Sequence, residues 1–187
     1  MFYLITIIIS MLVIIGANLL FVPFTFNALI GNALSVTIAT VSIFALDGLL
    51  ALVIRRLTPQ KWYSPDKKLF AVSKKERNFY NKLKIKLWKD KVPEWGGFTS
   101  FHKDKLESPS DNEYLRRFLI EANYGVIIHI ANAVLGFFIL FIPFCCAPGV
   151  WIPVFTVNFI LSLMPVAILR HTSYTLLRLY NRSLKKD

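Results

Sequence analysis

The sequence has almost no cysteine, little acidic charge and none of the common cofactor-binding motifs. Its two cysteines, Cys145 and Cys146, are neighbours, and neighbours cannot form an ordinary disulfide, which excludes a disulfide-stapled secreted scaffold. The chain has 11 Asp and Glu residues against 22 Lys and Arg, which gives a net charge of +11. It contains no P-loop, GxGxxG, HExxH, CxxC or GxSxG pattern, so the enzyme classes that these motifs identify have no support.

Charged residues are also missing from two long parts of the chain. Residues 2–54 carry a single charge, Asp47, and residues 122–169 carry none unless His129 is protonated. With 55% of its 187 residues hydrophobic, the chain is neither disordered nor a typical soluble domain. A membrane-spanning helix needs about 20 apolar residues. Each block is long enough for two, so the sequence predicts an all-α integral membrane protein.

Turn-forming residues divide each apolar block. The first block breaks at residues 23–32, and the second breaks at residues 143–151, where Pro148 and Gly149 lie. We therefore predict two hairpins of transmembrane helices, with spans at about 2–22, 33–54, 122–142 and 152–169. A cleaved signal peptide is the alternative for the first span, which lacks a basic n-region and a small-x-small cleavage site.

All 22 Lys and Arg residues lie in two polar segments. Residues 55–117 hold 17 of them against 8 Asp and Glu, and residues 170–187 hold the other five. Because basic loops stay in the cytoplasm, we predict that both termini and the central segment are cytoplasmic. Membrane topology accounts for this charge, so we expect no nucleic-acid partner. The predicted organisation is a hairpin, a basic cytoplasmic or interfacial segment, a second hairpin and a basic tail, at residues 1–54, 55–117, 118–169 and 170–187.

Within the central segment, residues 74–92 alternate cations with apolar side chains. Phe79, Leu83 and Leu87 recur at helical spacing with lysines beside them. Such a helix lies in the headgroup plane with its ammonium groups among lipid phosphates, so an anionic phospholipid surface is an expected partner. A short strand over residues 83–87 and a merely solvated basic loop remain alternatives.

Ionisable side chains in a membrane span are costly, so they are functional candidates by default. Asp47 lies eight residues before Arg55, and His129 lies eight residues after Glu121. Both are therefore expected roughly 12 Å below the cytoplasmic boundary, where they could form an ion pair or an acid–base couple. For each of them, a purely structural role in helix packing is the alternative.

Part of the sequence, beginning at Phe79, resembles a known protein family. The run Phe79-Tyr80-Asn81-Lys82, the run from Lys86 to Glu94 and the Gly96-Gly97-Phe98 turn are similar to the bacterial glycosyl-4,4'-diaponeurosporenoate acyltransferase family. The match continues through residues 113–118, Glu121 and His129. Members are small integral membrane proteins that esterify a sugar hydroxyl of a membrane glycolipid. The sequence departs from the family where the family has an Arg-Tyr-Asn-Arg run just past its last span: Arg170-His171 lies near that place, and Tyr180-Asn181-Arg182 comes ten residues later.

The resemblance implies a membrane-embedded O-acyltransferase in a bacterial cell membrane, with a glycosylated carotenoid as one acceptor. His129 would be the base, oriented by Asp47 or Glu121, with His102 as the alternative base; His171 is expected to be an interfacial anchor. Acyl-CoA or an acyl carrier protein would be the donor, and neither a metal nor another cofactor is required. The residues expected to bind substrate are Trp88, Lys89, Lys91, His102, Arg116 and Arg117.

Two non-acyltransferase functions remain open from the sequence. A lipid carrier or accessory subunit would use the basic segment to recruit anionic lipid or an acidic partner. A proton-coupled transporter would use Asp47 and His129, and with four spans it would have to work as a homodimer. Either a carrier or an accessory subunit should tolerate Asp47→Asn and His129→Asn far better than an enzyme would.

Overall fold

The computed structural model describes residues 2–21, 25–92, 108–109, 111–143 and 147–185. All regular secondary structure within these ranges is helical, without strands. The helices are α1 (Phe2–Leu19), α2 (Phe26–Leu57), α3 (Lys74–Lys82), α4 (Ile85–Trp88), α5 (Asn112–Leu135) and α6 (Pro148–Ser183). Short 3-10 segments lie at Gln60–Tyr63, Lys68–Phe70, Lys89–Lys91 and Gly136–Phe141.

Among the described residues, three helices are long and apolar enough to cross a membrane. They are Phe26–Leu57, Asn112–Phe138 and Gly149–Ser183, and they overlap the predicted spans 33–54, 122–142 and 152–169. The apolar part of α1, Leu4–Leu19, rises about 24 Å, which is less than the ~30 Å hydrocarbon core. The fourth crossing and the arrangement in two hairpins therefore stay predictions.

The chain divides into two compact units, of which unit 1 comprises Met1–Leu52 and Ile128–Leu163. Its buried core joins α1, α2 and the start of α6, through Ile14, Val36, Ala39, Ile43, Val150 and Val154. Many of its other apolar side chains are exposed, such as Leu12 at 63% and Val41 at 60%. Side chains of this kind are suited to contact with lipid tails, which explains how so hydrophobic a unit can leave them outside its core.

The first predicted turn is shorter than expected. Thr25 Oγ1 accepts a hydrogen bond from the N–H of Ala28 at 3.2 Å, so it caps α2 and the helix begins at Phe26. Asn32, expected in the turn, lies inside α2 instead. Its side-chain amide donates to the carbonyl of Ile15 at 2.8 Å and accepts from Asn18 at 3.2 Å, which ties α2 to α1.

The second predicted turn is also partly helical. α6 begins at Pro148, a residue type favoured in the first helical position because its missing N–H would have no helical partner there. Gly149 follows in the same turn, and Asn18 donates to its carbonyl at 2.8 Å. A side chain at Gly149 would collide with the Asn18 amide, so the absence of a Cβ permits this link between α1 and α6.

Unit 2 comprises Val53–Ile127 and Met164–Asp187, and it contains most of the basic sequence. Its core packs the start of α5 against the last part of α6, through Leu115, Phe118, Leu119, Leu176 and Tyr180. The predicted basic tail, residues 170–187, is therefore helical as far as Ser183 and supplies core residues. At the N-terminus of α5, Asp111 Oδ1 accepts from the N–H groups of Glu113 and Tyr114 at 2.8 and 3.2 Å.

The predicted amphipathic segment, residues 74–92, is interrupted. α3 ends at Lys82, and Lys84 has a φ of 52°, a left-handed conformation that a continuous helix does not contain. Ile85 then turns inward, at 1% exposure, while Phe79 and Leu87 stay exposed at 56% and 72%. The segment is therefore partly helical, as expected, but it is not one helix.

Candidate functional site

The two predicted acid–base partners lie in unit 1, Asp47 on α2 and His129 on α5. Both side chains are half-buried. Asp47 Oδ1 is buried and accepts no hydrogen bond within the described ranges. The predicted action of Asp47 on His129 therefore stays a prediction.

Glu121 has a partner in unit 2. Its Oε2 accepts a hydrogen bond from Arg55 at 2.8 Å, with the two side chains 17% and 29% exposed. The Arg55 guanidinium also lies 5.2 Å from the ring centre of Tyr124, within the range of a cation–π interaction. Glu121 thus holds the end of α2 against α5, and its predicted role in orienting His129 stays a prediction.

The predicted substrate-binding residues differ in their exposure and contacts. Trp88 is half-buried, and its Nε1 donates to the carbonyl of Leu83 at 3.0 Å. Lys89 lies 3.5 Å from Asp90, while Lys91 and the α5 residues Arg116 and Arg117 are exposed. His102 lies outside the described residues. Their predicted roles in substrate binding stay predictions.

A different set of polar side chains converges in unit 2, around Arg170 of α6. The guanidinium donates to both carboxylate oxygens of Glu76, at 2.8 and 2.9 Å, and to the carbonyls of Leu69 and Ala71, each at 3.1 Å. Tyr80 adds a hydrogen bond to Glu76 at 2.9 Å. One arginine therefore fixes α3 and the segment preceding it against α6.

A second set of contacts runs along the neighbouring faces of α3 and α6. His171 Nε2 lies 3.1 Å from Asn81 Oδ1, and the Arg77 guanidinium lies 4.5 Å from the ring centre of Tyr174. Because an amide oxygen accepts hydrogen bonds but cannot donate them, Nε2 carries the proton and Nδ1 is the basic nitrogen of the neutral ring. Arg77, Lys86 and Lys89 are within electrostatic range of this ring, so its surroundings are cationic.

We call the surface between these faces the α3–α6 groove. It is formed by Lys74, Arg77 and Asn81 on α3 and by His171, Tyr174 and Arg178 on α6, each set at helical spacings of three and four residues. At the Lys74 end the groove opens into a cavity of about 600 Å³. This cavity is lined by Pro65, Ala71, Val72, Lys74, Arg77, Tyr174, Leu177, Arg178 and Asn181.

The Glu76–Arg170 pair makes the stability of unit 2 fall when the solution becomes acidic. Partial burial opposes ionisation of Glu76, but hydrogen bonds from Arg170 and Tyr80 outweigh it and hold the pKa of the carboxyl below its ordinary value. The stabilisation is therefore complete above the unfolded-state pKa of about 4.3 and is lost as the pH falls through the lower folded-state pKa.

We expect wild-type protein to have a higher unfolding midpoint than Glu76→Gln at pH 7, and the two midpoints to approach each other below pH 4. Thermal unfolding followed by circular dichroism between pH 7 and pH 3 measures this. Asp66→Asn is the control because Asp66 is exposed and its carboxylate bonds to nearby Ser64. A constant difference between wild type and Glu76→Gln at every pH would contradict the assignment.

Sequence reasoning missed most of the groove. It assigned the cations of residues 74–92 to an amphipathic helix at the lipid headgroups, and it expected an interfacial anchor at His171, which is buried. The spacings Lys74–Arg77–Asn81 and His171–Tyr174–Arg178 could have identified one polar face on each helix. Nothing in those spacings says that the two faces meet, since that depends on the packing of α3 against α6.

Comparison with known proteins places this chain in a family. A family model described as glycosyl-4,4'-diaponeurosporenoate acyltransferase matches residues 59–182. No curated protein and no solved structure gives a significant match. The matched region includes the whole α3–α6 groove, Glu121 and His129, but it does not include Asp47. Because the match extends over more than half of the sequence, the chain belongs to the glycosyl-4,4'-diaponeurosporenoate acyltransferase family.

Proposed function

We propose that this protein transfers a fatty acyl group to a hydroxyl of a membrane glycolipid at the cytoplasmic leaflet. The observation that carries the proposal is the family match over residues 59–182. The family's description supplies the acceptor class, a glycosylated carotenoid acid. The apolar helices also support the proposed transfer. Both the acceptor and the acyl chain are lipids, which a membrane-embedded enzyme can hold.

The reaction needs a base, an activated donor and a means of holding both substrates. The acceptor hydroxyl loses its proton to the base while its oxygen attacks the carbonyl carbon of a thioester donor, an acyl-CoA or an acyl carrier protein. The new C–O bond forms, the C–S bond breaks, and the thiolate leaves and takes up the proton. We assign the base to His129, with Asp47 or Glu121 as the carboxylate that orients it.

The location of the cationic residues supports a cytoplasmic donor. The cations cluster in residues 55–117 and 170–187, which by the positive-inside rule lie on the cytoplasmic face. Thioester donors are soluble cytoplasmic molecules with phosphate groups, so they would meet the protein on this face. The anionic lipid surface would lie beside the exposed apolar side chains of α3 and α4, Phe79 and Leu87.

Comparison of total lipids from cells with and without this protein tests the proposal. We expect an acylated glycolipid to disappear and its unacylated precursor to accumulate when the gene is deleted, and both changes to reverse when it is restored. The mass difference between the two species gives the acyl chain. An unchanged lipid profile would contradict the proposal and would favour a lipid carrier or an accessory subunit.

A further inference from the structure

The cavity at the Lys74 end of the groove has an unusual charge. Three of its lining residues are cations, Lys74, Arg77 and Arg178, and none of its lining residues is acidic. The nearest carboxylate along α3, that of Glu76, is already bonded to Arg170. Like charges held around one cavity repel one another, and an anion inside the cavity would remove that repulsion.

The arginines in the cavity are also short of partners. Arg77 and Arg178 both lie against Tyr174, with their guanidinium carbons 4.5 and 5.9 Å from its ring centre. Neither forms an ion pair with any described residue, and the buried Nε of Arg77 has no hydrogen-bond acceptor there. The Tyr174 ring thus keeps two guanidinium groups, with unused donors, at one side of the cavity.

We infer that this cavity binds the phosphate groups of a coenzyme A-type acyl donor, an inference that rests on the proposed acyl transfer. Guanidinium groups bind phosphate through paired hydrogen bonds, and Lys74 adds a point charge. A volume of about 600 Å³ is within the range of small-molecule sites. The donor's phosphates would then bind in the cavity, rather than at Arg116 and Arg117, the exposed α5 residues that the sequence suggests for substrate binding.

Direct binding of coenzyme A tests the inference without any transfer reaction. The full-length protein would be placed in phosphatidylcholine nanodiscs and titrated with coenzyme A by calorimetry. We expect Arg77→Gln with Arg178→Gln to weaken binding at least tenfold. The control, Lys61→Gln with Lys67→Gln, removes the same charge from exposed positions in unit 2 and should change the affinity less than twofold. Wild-type binding should weaken with added salt more steeply than binding by the arginine double variant.

Two further arms separate the sources of phosphate and the causes of failure. Arg77→Lys with Arg178→Lys keeps the charge and should recover part of the affinity. The glutamine variant could bind coenzyme A normally and yet lose the wild-type response to phosphatidylglycerol in the nanodisc. The cavity then binds the phosphate of a lipid, and its assignment to the acyl donor is wrong. Equal affinity of wild type and the glutamine variant for both probes overturns the site. The site and the proposed function can also fail separately. If the glutamine variant loses coenzyme A binding but the wild-type protein has no transferase activity, the site is upheld and the proposed function is refuted.

Discussion

Replacing Arg170 with methionine should lower the unfolding midpoint of the protein by about 10 °C. The side chain is 16% exposed and that of Glu76 is 25% exposed, so removal of the guanidinium leaves a half-buried carboxylate without its counter-charge. Breaking a fully buried pair costs about 3–5 kcal/mol, so for this half-buried pair we take the lower end, about 3 kcal/mol, and in a chain of this size 1 kcal/mol shifts the midpoint by about 2–4 °C. The carbonyls of Leu69 and Ala71 lose a donor at the same time.

The matched control is Arg182→Met, which removes an exposed arginine from the same helix and should shift the midpoint by less than about 2 °C. Thermal unfolding in detergent, followed by circular dichroism at pH 7, gives both values. Arg170→Lys should recover little of the lost unfolding midpoint, because one ammonium cannot supply the four hydrogen bonds that the guanidinium makes. A shift for Arg170→Met no larger than that of the control would refute the structural role.

The Arg170–Glu76 contact can be isolated with a double-mutant cycle. Once Arg170 is methionine, Glu76→Gln should be neutral or stabilising, because it removes a charge that has lost its partner. In the wild-type background the same substitution should destabilise. Independent, additive effects of the two substitutions would show that the ion pair is not what couples α3 to α6.

The long helices could be predicted from the sequence because the signal for them is local. Runs of apolar residues, bounded by charge, were enough to locate α2, α5 and α6. The helix ends could not be predicted as well, because Asn32 is turn-prone on average and yet lies inside α2, where its amide reaches Ile15 on another helix. Lys84 adopts a left-handed conformation that the residue type does not announce, so the break between α3 and α4 was missed.

The candidate site was harder to predict because it depends on which faces meet. Basic residues near a membrane already have an explanation in topology, so Arg77 and Arg178 gave no signal of their own. The sequence places them about a hundred residues apart, and a single tyrosine, Tyr174, brings both guanidinium groups to one side of a cavity. For Glu121 the sequence did give a signal, because an acidic residue at the end of a span is a catalytic candidate. The structure holds its side chain in an ion pair with Arg55.

Replacing His129 with alanine should reduce acyl transfer by about 100-fold to 10,000-fold, which is the usual contribution of a general base. His129→Gln should be equally inactive, because an amide of similar size cannot accept the hydroxyl proton. Initial rates with a long-chain acyl-CoA and glycolipid in nanodiscs measure the loss, and the yield of membrane-inserted protein shows that the fold survives. Ile130→Ala is the control. Ile130 is next to His129 in the sequence, and its side chain is 41% exposed and takes no part in the chemistry.

The pH dependence separates a base from a packing residue. Because a protonated imidazole cannot accept a proton, an imidazole base gives the wild-type pH profile an acidic limb, in which the rate falls as the pH is lowered. The residual activity of His129→Ala should lack this acidic limb. If His129→Ala keeps both the full rate and the limb, His129 is not the base. The alternative base predicted from the sequence, His102, would then have to account for the limb, and His102→Ala should remove it.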